Sequence, residues 1–355
     1  MAEHIRQLMN CFQRRLGSSK STTVDFNEYS NFLAFDAIGD FAFGAPFGFL
    51  DREEDHLDLI QAIDSRGEVL NALGHVPKPI RSLLKYFPFD TFWSQGLRGT
   101  KSLGIIGHKA YLKRKALQTQ RKDILSFLFN AKDPETGGPL PEQEIIAESI
   151  SFIVGGSDTT STTMTNVVDI VSRRPEIQER LQKELDETFP GDDLSEWVAD
   201  FASVEKLPVL NAVLRETMRV KPTSATGLER VTPEGGRSIA GKFIPAGTLV
   251  SVPTINVHYN SKKFTDPEEF RLGRWLEEDS TVLTDYFIPF SIGPRACIGR
   301  NFAWMEMLKT LATLFRLFDL ERVHTDETGV SEGFFMKNKE CKIRVKPHHA
   351  APNRS

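Results

Sequence analysis

The sequence predicts a mainly α-helical fold with a small β portion late in the chain, and two observations indicate this class. Apolar residues recur at helical spacing through three long segments, 26–44, 142–174 and 204–220. The segments 236–254 and 328–347 instead read as strands. The first of them has an alternating pattern that glycines and prolines interrupt, which is typical of short strands and hairpins. Helices should therefore form the body of the molecule.

Composition limits the possible classes of protein. The 355 residues allow two or three domains, or one large one. Forty-eight acidic and 44 basic residues give a net charge of -4, which argues against nucleic-acid binding through global charge. No run reaches the ~18 apolar residues that a membrane helix needs. Only 3 cysteines are present, so a disulfide framework is excluded and a cysteine that matters acts alone.

The first third of the chain predicts amphipathic helices. Segment 26–44 ends at a glycine, a typical helix C-cap. Prolines interrupt 75–90, which predicts a connector with at most a short helix. Segment 100–129 is helical and basic, and the glycines and prolines of 132–141 predict a loop.

The longest predicted helix, 142–174, ends before Pro175 and has an unusual centre. Gly155 and Gly156 each cost about 1 kcal/mol relative to alanine in a helix. The polar run 157–163 follows them within an otherwise apolar helix. These residues predict either close helix packing or a polar notch in an apolar wall.

Further helices are predicted at 175–190, which begins with proline, and at 204–220. The following 259–298 has little periodicity and many Pro, Gly, Asp and Arg residues, and so long an irregular stretch is uncommon without a function. A last long helix is predicted at 299–317.

Cys297 stands in that irregular stretch, immediately before the last helix. The helix N-terminus and the neighbouring Arg295 and Arg300 favour the thiolate, which is the form that binds metal or attacks substrates. Gly293 and Gly299 let a large flat group approach the backbone. A buried, inert cysteine is the alternative.

Three chemistries could use this thiolate. A Cys–His nucleophile would need His258 or His324 to be brought near by the fold. Zinc is poorly supported, because the sequence contains neither HExxH nor CxxC. A single thiolate that holds haem iron fits the lone cysteine best.

The segment PFSIGPRACIGR resembles the haem-binding loop of the cytochromes P-450, the haem-thiolate monooxygenases. The residues that fill every fixed position of the Phe-x-x-Gly-x-Arg-x-Cys-x-Gly pattern are Phe290, Gly293, Arg295, Cys297 and Gly299. Three more segments resemble family motifs in the family's order. They are Gly155 to Thr160, the Glu216 and Arg219 pair, and 270–275 with Arg274.

The resemblance implies a role for each of these positions. Cys297 would be the axial ligand of heme b, and Asp158 and Thr159 would guide protons to bound O2. The residues implied to contact the cofactor are Phe290, Gly293, Arg295, Gly299 and Arg230, with the two arginines facing the propionates. The triad Glu216, Arg219 and Arg274 would be structural.

The resemblance also implies partners. Electrons would come from NADPH through a flavoprotein, the NADPH–cytochrome P-450 reductase, with Arg300, Lys309 and Arg316 as weak docking candidates. Two rivals remain, a catalytically inactive fragment and a haem-thiolate isomerase or dehydratase. The Asp158–Thr159 pair argues against the second.

Within the family, the segments 31–50, 221–236, 290–307 and 332–346 resemble the fungal benzoate 4-monooxygenase branch. A small aromatic substrate with one polar end is implied, with benzoate para-hydroxylation or a secondary-metabolite hydroxylation as the reaction. The implied substrate-pocket residues are Phe152, Gly155, Gly156, Thr223, Ser224, Thr226 and Phe334. In this view the pocket hydroxyls could hold a carboxylate without an arginine.

The N-terminus departs from the family pattern. No Trp-x-x-x-Arg propionate clamp precedes residue 26, and Trp93 comes too late to supply one. Residues 1–355 are therefore expected to form a single P-450 domain without its anchor and early helices. A full-length parent would lie on the cytoplasmic face of the endoplasmic reticulum, with membrane contact only through the missing segment.

Overall fold

The computed structural model describes residues 1–85, 90–117, 119–191, 194, 196–276, 280–324 and 329–348, and helices dominate it. The helices are α1 Ala2–Leu16, α2 Phe26–Phe43, α3 Phe49–Arg52, α4 Leu59–Gly74, α5 Lys78–Lys85, α6 Thr91–Ala116, α7 Ile124–Leu128, α8 Glu142–Val171, α9 Pro175–Thr188, α10 Phe201–Val204, α11 Pro208–Val220, α12 Thr254–His258, α13 Gly273–Leu276, α14 Ser280–Thr284 and α15 Arg300–Leu317. The mainly α prediction is confirmed.

Within the described residues, the strands form four small antiparallel sheets. They are β1 Thr22–Asp25, β2 Arg230–Val231, β3 Arg237–Ile239, β4 Lys242–Ile244, β5 Leu249–Val250, β6 Phe318–Arg322, β7 Val330–Glu332, β8 Met336–Asn338 and β9 Lys342–Pro347. The largest sheet has the order β1-β9-β6, and β2-β5, β3-β4 and β7-β8 are two-stranded. Both predicted strand regions are confirmed, except residue 328, which lies outside the described residues.

Helix α2 illustrates how local sequence sets an element. The Asp25 side chain accepts a hydrogen bond from the Asn27 N–H at 3.0 Å and caps the N-terminus. Gly44 ends the helix at φ 75°, in the left-handed region that favours glycine. Phenylalanines on α2 join a cluster of edge-to-face rings with α1, including Phe12 and Phe26 with centroids 6.4 Å apart. This cluster uses several of the 26 phenylalanines of the sequence.

Helix α8 runs through the core beside α2, and its polar run supplies contacts between the two helices. The Ser161 hydroxyl donates to Asn31 Oδ1 at 2.8 Å, and the Thr165 and Ser30 hydroxyls lie 2.8 Å apart. All four side chains are buried. Ser161 of the polar run, and Thr165 just beyond it, therefore form hydrogen bonds across a helix–helix contact.

The predicted helical segment 100–129 is in fact two helices. Helix α6 begins earlier, after the Asp90 cap, and ends at Ala116, and α7 begins only after Asp123. A buried ion pair between Arg114 Nε and Asp123 Oδ2, 2.6 Å apart, links the end of α6 to the start of α7. Sequence periodicity does not reveal such a turn between two helices of similar pattern.

The connector 75–90 contains only the short α5, as predicted, although 86–89 lie outside the described residues. The irregular 259–298 holds two short helices, α13 and α14, and a 3-10 turn at Gly293–Arg295, and 277–279 are outside the description. No helix of the described residues is both long and apolar enough to cross a bilayer.

Candidate functional site

The loop that carries Cys297 is folded back on itself just before α15. The Cys297 N–H donates to the Phe290 carbonyl at 2.8 Å, and the Ala296 N–H donates to the Gly293 carbonyl at 3.0 Å. Gly293 has φ 79°, a conformation that a side chain at this turn would strain. Gly299 precedes the first residue of α15, so Cys297 lies at the N-terminal end of that helix.

Cys297 is the accessible thiol of this chain. Cys11 and Cys341 are buried, whereas Cys297 is exposed. Burial raises the pKa of Cys11 to about 11, which keeps that thiol protonated and unreactive. The lone-cysteine interpretation therefore selects position 297, and the buried alternative for this residue is wrong.

Aromatic contacts fix the loop to α15. The Phe290 ring lies 6.1 Å from the Trp304 ring in an edge-to-face arrangement. The Arg300 guanidinium lies over the same Phe290 ring at 5.8 Å. Phe290 thus anchors the start of the loop to the first turns of the helix that follows the cysteine.

Arg295 and Arg230, the two residues expected to face propionates, are exposed. Arg230 donates to the Glu229 carbonyl at 2.9 Å. Across the part of the chain that the structure describes, neither guanidinium forms an ion pair with a carboxylate of the protein. Both cations are therefore available to an anionic group of a ligand.

The three residues of the expected structural triad are in contact. Glu216 Oε1 accepts from Arg219 Nη2 at 2.8 Å and from Arg274 Nε at 3.1 Å, and Oε2 accepts from Arg219 Nε at 2.9 Å. The Trp275 indole and the Arg271 backbone N–H add donors at 2.8 and 2.9 Å. One buried carboxylate is therefore saturated by five hydrogen bonds.

The two guanidiniums of the triad are equally well satisfied. Arg219 donates to the carbonyls of Pro267 at 2.7 Å and Glu269 at 2.8 Å, and Arg274 donates to those of Thr265 and Asp266. The three triad side chains have 0% exposure. Because the backbone carbonyls that accept from these guanidiniums lie in 258–269, the triad ties α11 to the irregular segment that leads towards Cys297.

His258 is not placed to serve Cys297 as a catalytic base. Its Nδ1 lies 3.2 Å from the Arg219 carbonyl, and its Nε2 accepts from the Ile288 N–H at 3.0 Å. Both ring nitrogens are therefore occupied by the backbone. His324, the other histidine considered, is an exposed residue beyond the end of β6.

The two central glycines of α8 face different surroundings. A Cβ at Gly155 would meet no heavy atom within 4 Å, whereas one at Gly156 would lie 2.6 Å from the side chain of Ile38 on α2. Thr159 donates its hydroxyl to the Gly155 carbonyl at 3.2 Å, the back-bond that its position predicts. The structure thus places Gly155 and Thr159 at an open face, while Gly156 permits the close packing of α8 against Ile38 on α2.

Asp158, the expected proton relay, has a partner that the motif does not reveal. Lys337 on β8 contacts the Asp158 carboxylate and also that of Asp64 on α4. Asp158 is 3% exposed, and burial raises its pKa while the Lys337 cation opposes the rise. Asp158 therefore lies in a charged cluster that joins α4, α8 and β8.

A cavity of about 230 Å³ lies beside this cluster, between α4, α8 and the β7–β8 hairpin. The residues that line it are Ile63, Asp64, Arg66, Gly67, Glu68, Leu70, Val154, Asp158, Ser331, Gly333, Phe334, Phe335 and Lys337. Of the expected pocket residues, it contains only Phe334.

The other expected pocket residues lie outside this cavity. The hydroxyls of Thr223 and Thr163 lie 3.1 Å apart, which joins the segment after α11 to α8. Ser224 and Phe152 are half-buried, and Thr226 is exposed. No threonine hydroxyl lines the cavity, so the expected hydroxyl contacts to a substrate are not found there.

Arg66 is one of the cavity residues that sequence reasoning missed. Its guanidinium is half-buried and forms no ion pair within the described ranges, and burial alone lowers its pKa. Asp64 contacts Lys337, and Glu68 accepts a hydrogen bond from the Ser331 hydroxyl at 2.7 Å. The place of Arg66 beside the cavity could not be predicted from the sequence, because it depends on how α4 packs against the β7–β8 hairpin.

Two of the three docking candidates are wrong. Arg316 is 3% exposed and pairs with Asp186 at 3.3 Å, and Lys309 is 9% exposed and donates to the Ala199 carbonyl. Both side chains stabilise the packing of α15 from within. Arg300 alone is exposed.

Comparison with known proteins identifies the family. The family model for cytochrome P450 matches residues 1–345. The fold is similar to the crystal structure of the cytochrome P450DA heme domain, with a TM-score of 0.81 and 23% identity, covering 98% of this chain and 72% of that one. The chain belongs to the cytochrome P450 family, which implies a haem iron with a cysteine thiolate ligand.

Named relatives are fungal monooxygenases. Benzoate 4-monooxygenase bphA of Aspergillus niger is 36% identical over 348 residues, which cover 91% of this chain. Cytochrome P450 monooxygenase penB of Penicillium thymicola is 31% identical, covering 95% of this chain and 78% of its own length. The chain spans 66% of the length of the Aspergillus niger relative.

Proposed function

We propose that this protein is a haem-thiolate monooxygenase that inserts one oxygen atom from O2 into a small aromatic substrate. The observation that carries the proposal is the Cys297 loop. Its exposed thiol stands at the N-terminus of α15, on a turn closed by the hydrogen bond between the Cys297 N–H and the Phe290 carbonyl. Family membership makes an iron ligand the expected role of a thiolate in this setting.

The residues present fit the cofactor. Cys297 offers a soft anionic ligand, and the exposed Arg295 and Arg230 offer cations to its two propionates. Gly155, with open space where a side chain would stand, lets a flat ring approach α8. When bound, the haem supplies O2 binding and oxygen-atom transfer, with electrons that we expect to come from NADPH through a flavoprotein reductase.

Thr159 and Asp158 hold protons where the oxygen chemistry needs them. The Thr159 hydroxyl donates to the Gly155 carbonyl, which leaves its oxygen free to accept a further hydrogen bond. Burial raises the pKa of Asp158, which brings the carboxyl closer to the range in which it can both take up and release a proton. Lys337 limits this rise and fixes the carboxylate.

The cavity beside Asp158 supports a small aromatic substrate. Phe334, Phe335 and Val154 form aromatic and aliphatic walls, and about 230 Å³ accommodates a single ring with a substituent. Arg66 adds a half-buried cation without a carboxylate partner in the described structure. These features suit a small aromatic acid, in agreement with the name of the Aspergillus niger relative.

The test is turnover of benzoate by the haem-loaded protein, supplied with a fungal flavoprotein reductase and NADPH. We expect a hydroxybenzoate product and a fall of at least about tenfold in kcat/KM for Arg66→Leu, since a lost charged contact costs about 1.5–3 kcal/mol. Arg52→Leu, an exposed change on α3, is the matched control. If only neutral aromatics are turned over, the proposal of an aromatic acid as substrate is contradicted. If oxygen is inserted into no aromatic compound, the proposed monooxygenase function is contradicted.

A further inference from the structure

His258, at the C-terminal end of α12, connects the buried triad to the segment that precedes the cysteine loop. The imidazole is completely buried, with 0% exposure. It stacks on the Phe287 ring with centroids 5.6 Å apart and an interplanar angle of 15°, and it meets the Phe264 ring edge-on at 6.4 Å. Rings on two sides therefore hold the imidazole in one orientation.

The two hydrogen bonds of the ring fix its protonation. The Arg219 carbonyl can only accept, so Nδ1 carries the hydrogen in that contact of 3.2 Å. The Ile288 N–H can only donate, so Nε2 presents its lone pair at 3.0 Å. The ring is therefore a neutral Nδ1–H tautomer, and burial lowers its pKa to about 4.

On one side, His258 is joined to the triad twice. Its Nδ1–H donates to the Arg219 carbonyl, and its own carbonyl accepts from Arg219 Nη1 at 3.2 Å. Arg219 is in turn held by both oxygens of Glu216. The imidazole thus has a rigid attachment on the α11 side.

On the other side, His258 holds the chain two residues before Phe290. Ile288 donates its N–H to the imidazole, and its carbonyl accepts from the Ser291 N–H at 3.0 Å. The Phe290 carbonyl then accepts from the Cys297 N–H. Within the described residues, the Ile288 N–H has no hydrogen-bond partner other than His258.

We infer that His258 is a positioning residue for Cys297: it transmits the fixed geometry of the triad to the Ile288–Phe290 segment that closes the cysteine loop. The inference rests on the proposed function only for the role of Cys297 as an iron ligand. The hydrogen bonds themselves exist without a cofactor, so the positioning can be tested in haem-free protein.

The experiment compares three variants that separate the two ends of the imidazole. His258→Gln places an amide oxygen near the Nε2 position and can still accept from Ile288. His258→Asn reaches only the Nδ1 position and keeps the bond to the Arg219 carbonyl. His258→Phe keeps the ring and neither bond. His324→Gln, at an exposed histidine, is the control.

Amide hydrogen exchange and thiol labelling are measured on the haem-free proteins. We expect exchange at Ile288 to accelerate about fivefold to tenfold in the Asn and Phe variants and to stay near the native rate in the Gln variant. The rate of maleimide addition to Cys297 should change in the same two variants, because Cys11 and Cys341 are buried and do not compete. Thermal melting shows which variants remain folded.

The haem-loaded proteins supply a spectroscopic readout. The CO-bound reduced Asn and Phe variants should lose part of the thiolate-ligated Soret band, and the Gln variant should retain it. Equal effects of Gln and Asn on both exchange and spectrum would overturn the inference. If no variant binds haem but the exchange pattern holds, the positioning stands and the proposed function fails.

Discussion

Glu216 and Asp158 are two buried carboxylates in opposite circumstances. Glu216 accepts five hydrogen bonds from fixed donors and is 0% exposed. Asp158 depends on one lysine, which it shares with Asp64, and this lysine comes from a small hairpin. A saturated carboxylate has no capacity left for a reacting proton, whereas one held by a single shared cation retains it. The comparison distinguishes a carboxylate suited to a structural role from one suited to the proposed proton relay.

The largest expected effect is at the saturated carboxylate. Glu216→Gln removes the charge that balances Arg219 and Arg274, both of which stay buried. The free energy of unfolding should fall by about 3–5 kcal/mol, measured by urea denaturation. Glu176→Gln, on the exposed side of α9, should change it by less than about 0.5 kcal/mol. A loss below about 1 kcal/mol in Glu216→Gln would contradict the view that the buried triad depends on this carboxylate.

The next largest effect is a pH dependence of stability that comes from His258, which is hydrogen-bonded to Arg219 of the triad. The pKa of His258 is lowered from 6.5 to about 4 in the folded protein, so the unfolded chain takes up this proton first as pH falls. His258 should therefore lower the free energy of unfolding by about 3 kcal/mol between pH 6.5 and 4. His258→Gln lacks this contribution. Parallel stability profiles for the two proteins would contradict the neutral buried imidazole.

A smaller effect is expected at Asp158, the carboxylate of the proposed proton relay. Lys337→Met leaves Asp158 without its cation and should lower the free energy of unfolding by up to about 3 kcal/mol. The double variant with Asp158→Asn should recover part of that loss, which a double-mutant cycle measures. Lys339→Met, exposed on the same hairpin, is the matched control. Additive losses in the cycle would show that the pair is not coupled.

The smallest effects distinguish the two glycines of α8. Gly155→Ala meets open space and should stabilise the protein by up to about 1 kcal/mol through helix propensity. Gly156→Ala would place its Cβ 2.6 Å from Ile38. We expect this variant to be less stable by about 1 kcal/mol, because the steric overlap outweighs the same gain in helix propensity. Adding Ile38→Val should relieve part of that loss. Equal thermal shifts for both glycine variants would contradict the assignment of their faces.

Sequence pattern predicted what depends on local chemistry. The glycine that ends α2, the long α8 and the turn before Cys297 all follow from spacing and residue type. The contact of Arg274 with Glu216 was implied only by the family resemblance. The Glu216–Arg219 pair was predictable from spacing, because opposite charges three residues apart lie on one helix face. These features need little knowledge of distant segments.

Contacts between distant segments could not be predicted in the same way. Lys337 reaches Asp158 across 179 residues of sequence, and Arg66 faces the cavity only because α4 packs beside the β7–β8 hairpin. The burial of Lys309 and Arg316 depends on backbone carbonyls from the segment after α9. The charges of these two residues suggested that they lie on the surface. In the folded protein both side chains are buried and donate to backbone carbonyls.

The most direct test of the account is the CO difference spectrum of the reduced, haem-loaded chain. Wild type and the buried-site control Cys11→Ala should show the red-shifted Soret band of thiolate-ligated haem, and Cys297→Ala should lose it. Retention of that band by Cys297→Ala, or failure of the wild-type chain to bind haem, would contradict the assignment of Cys297 as the iron ligand of this chain.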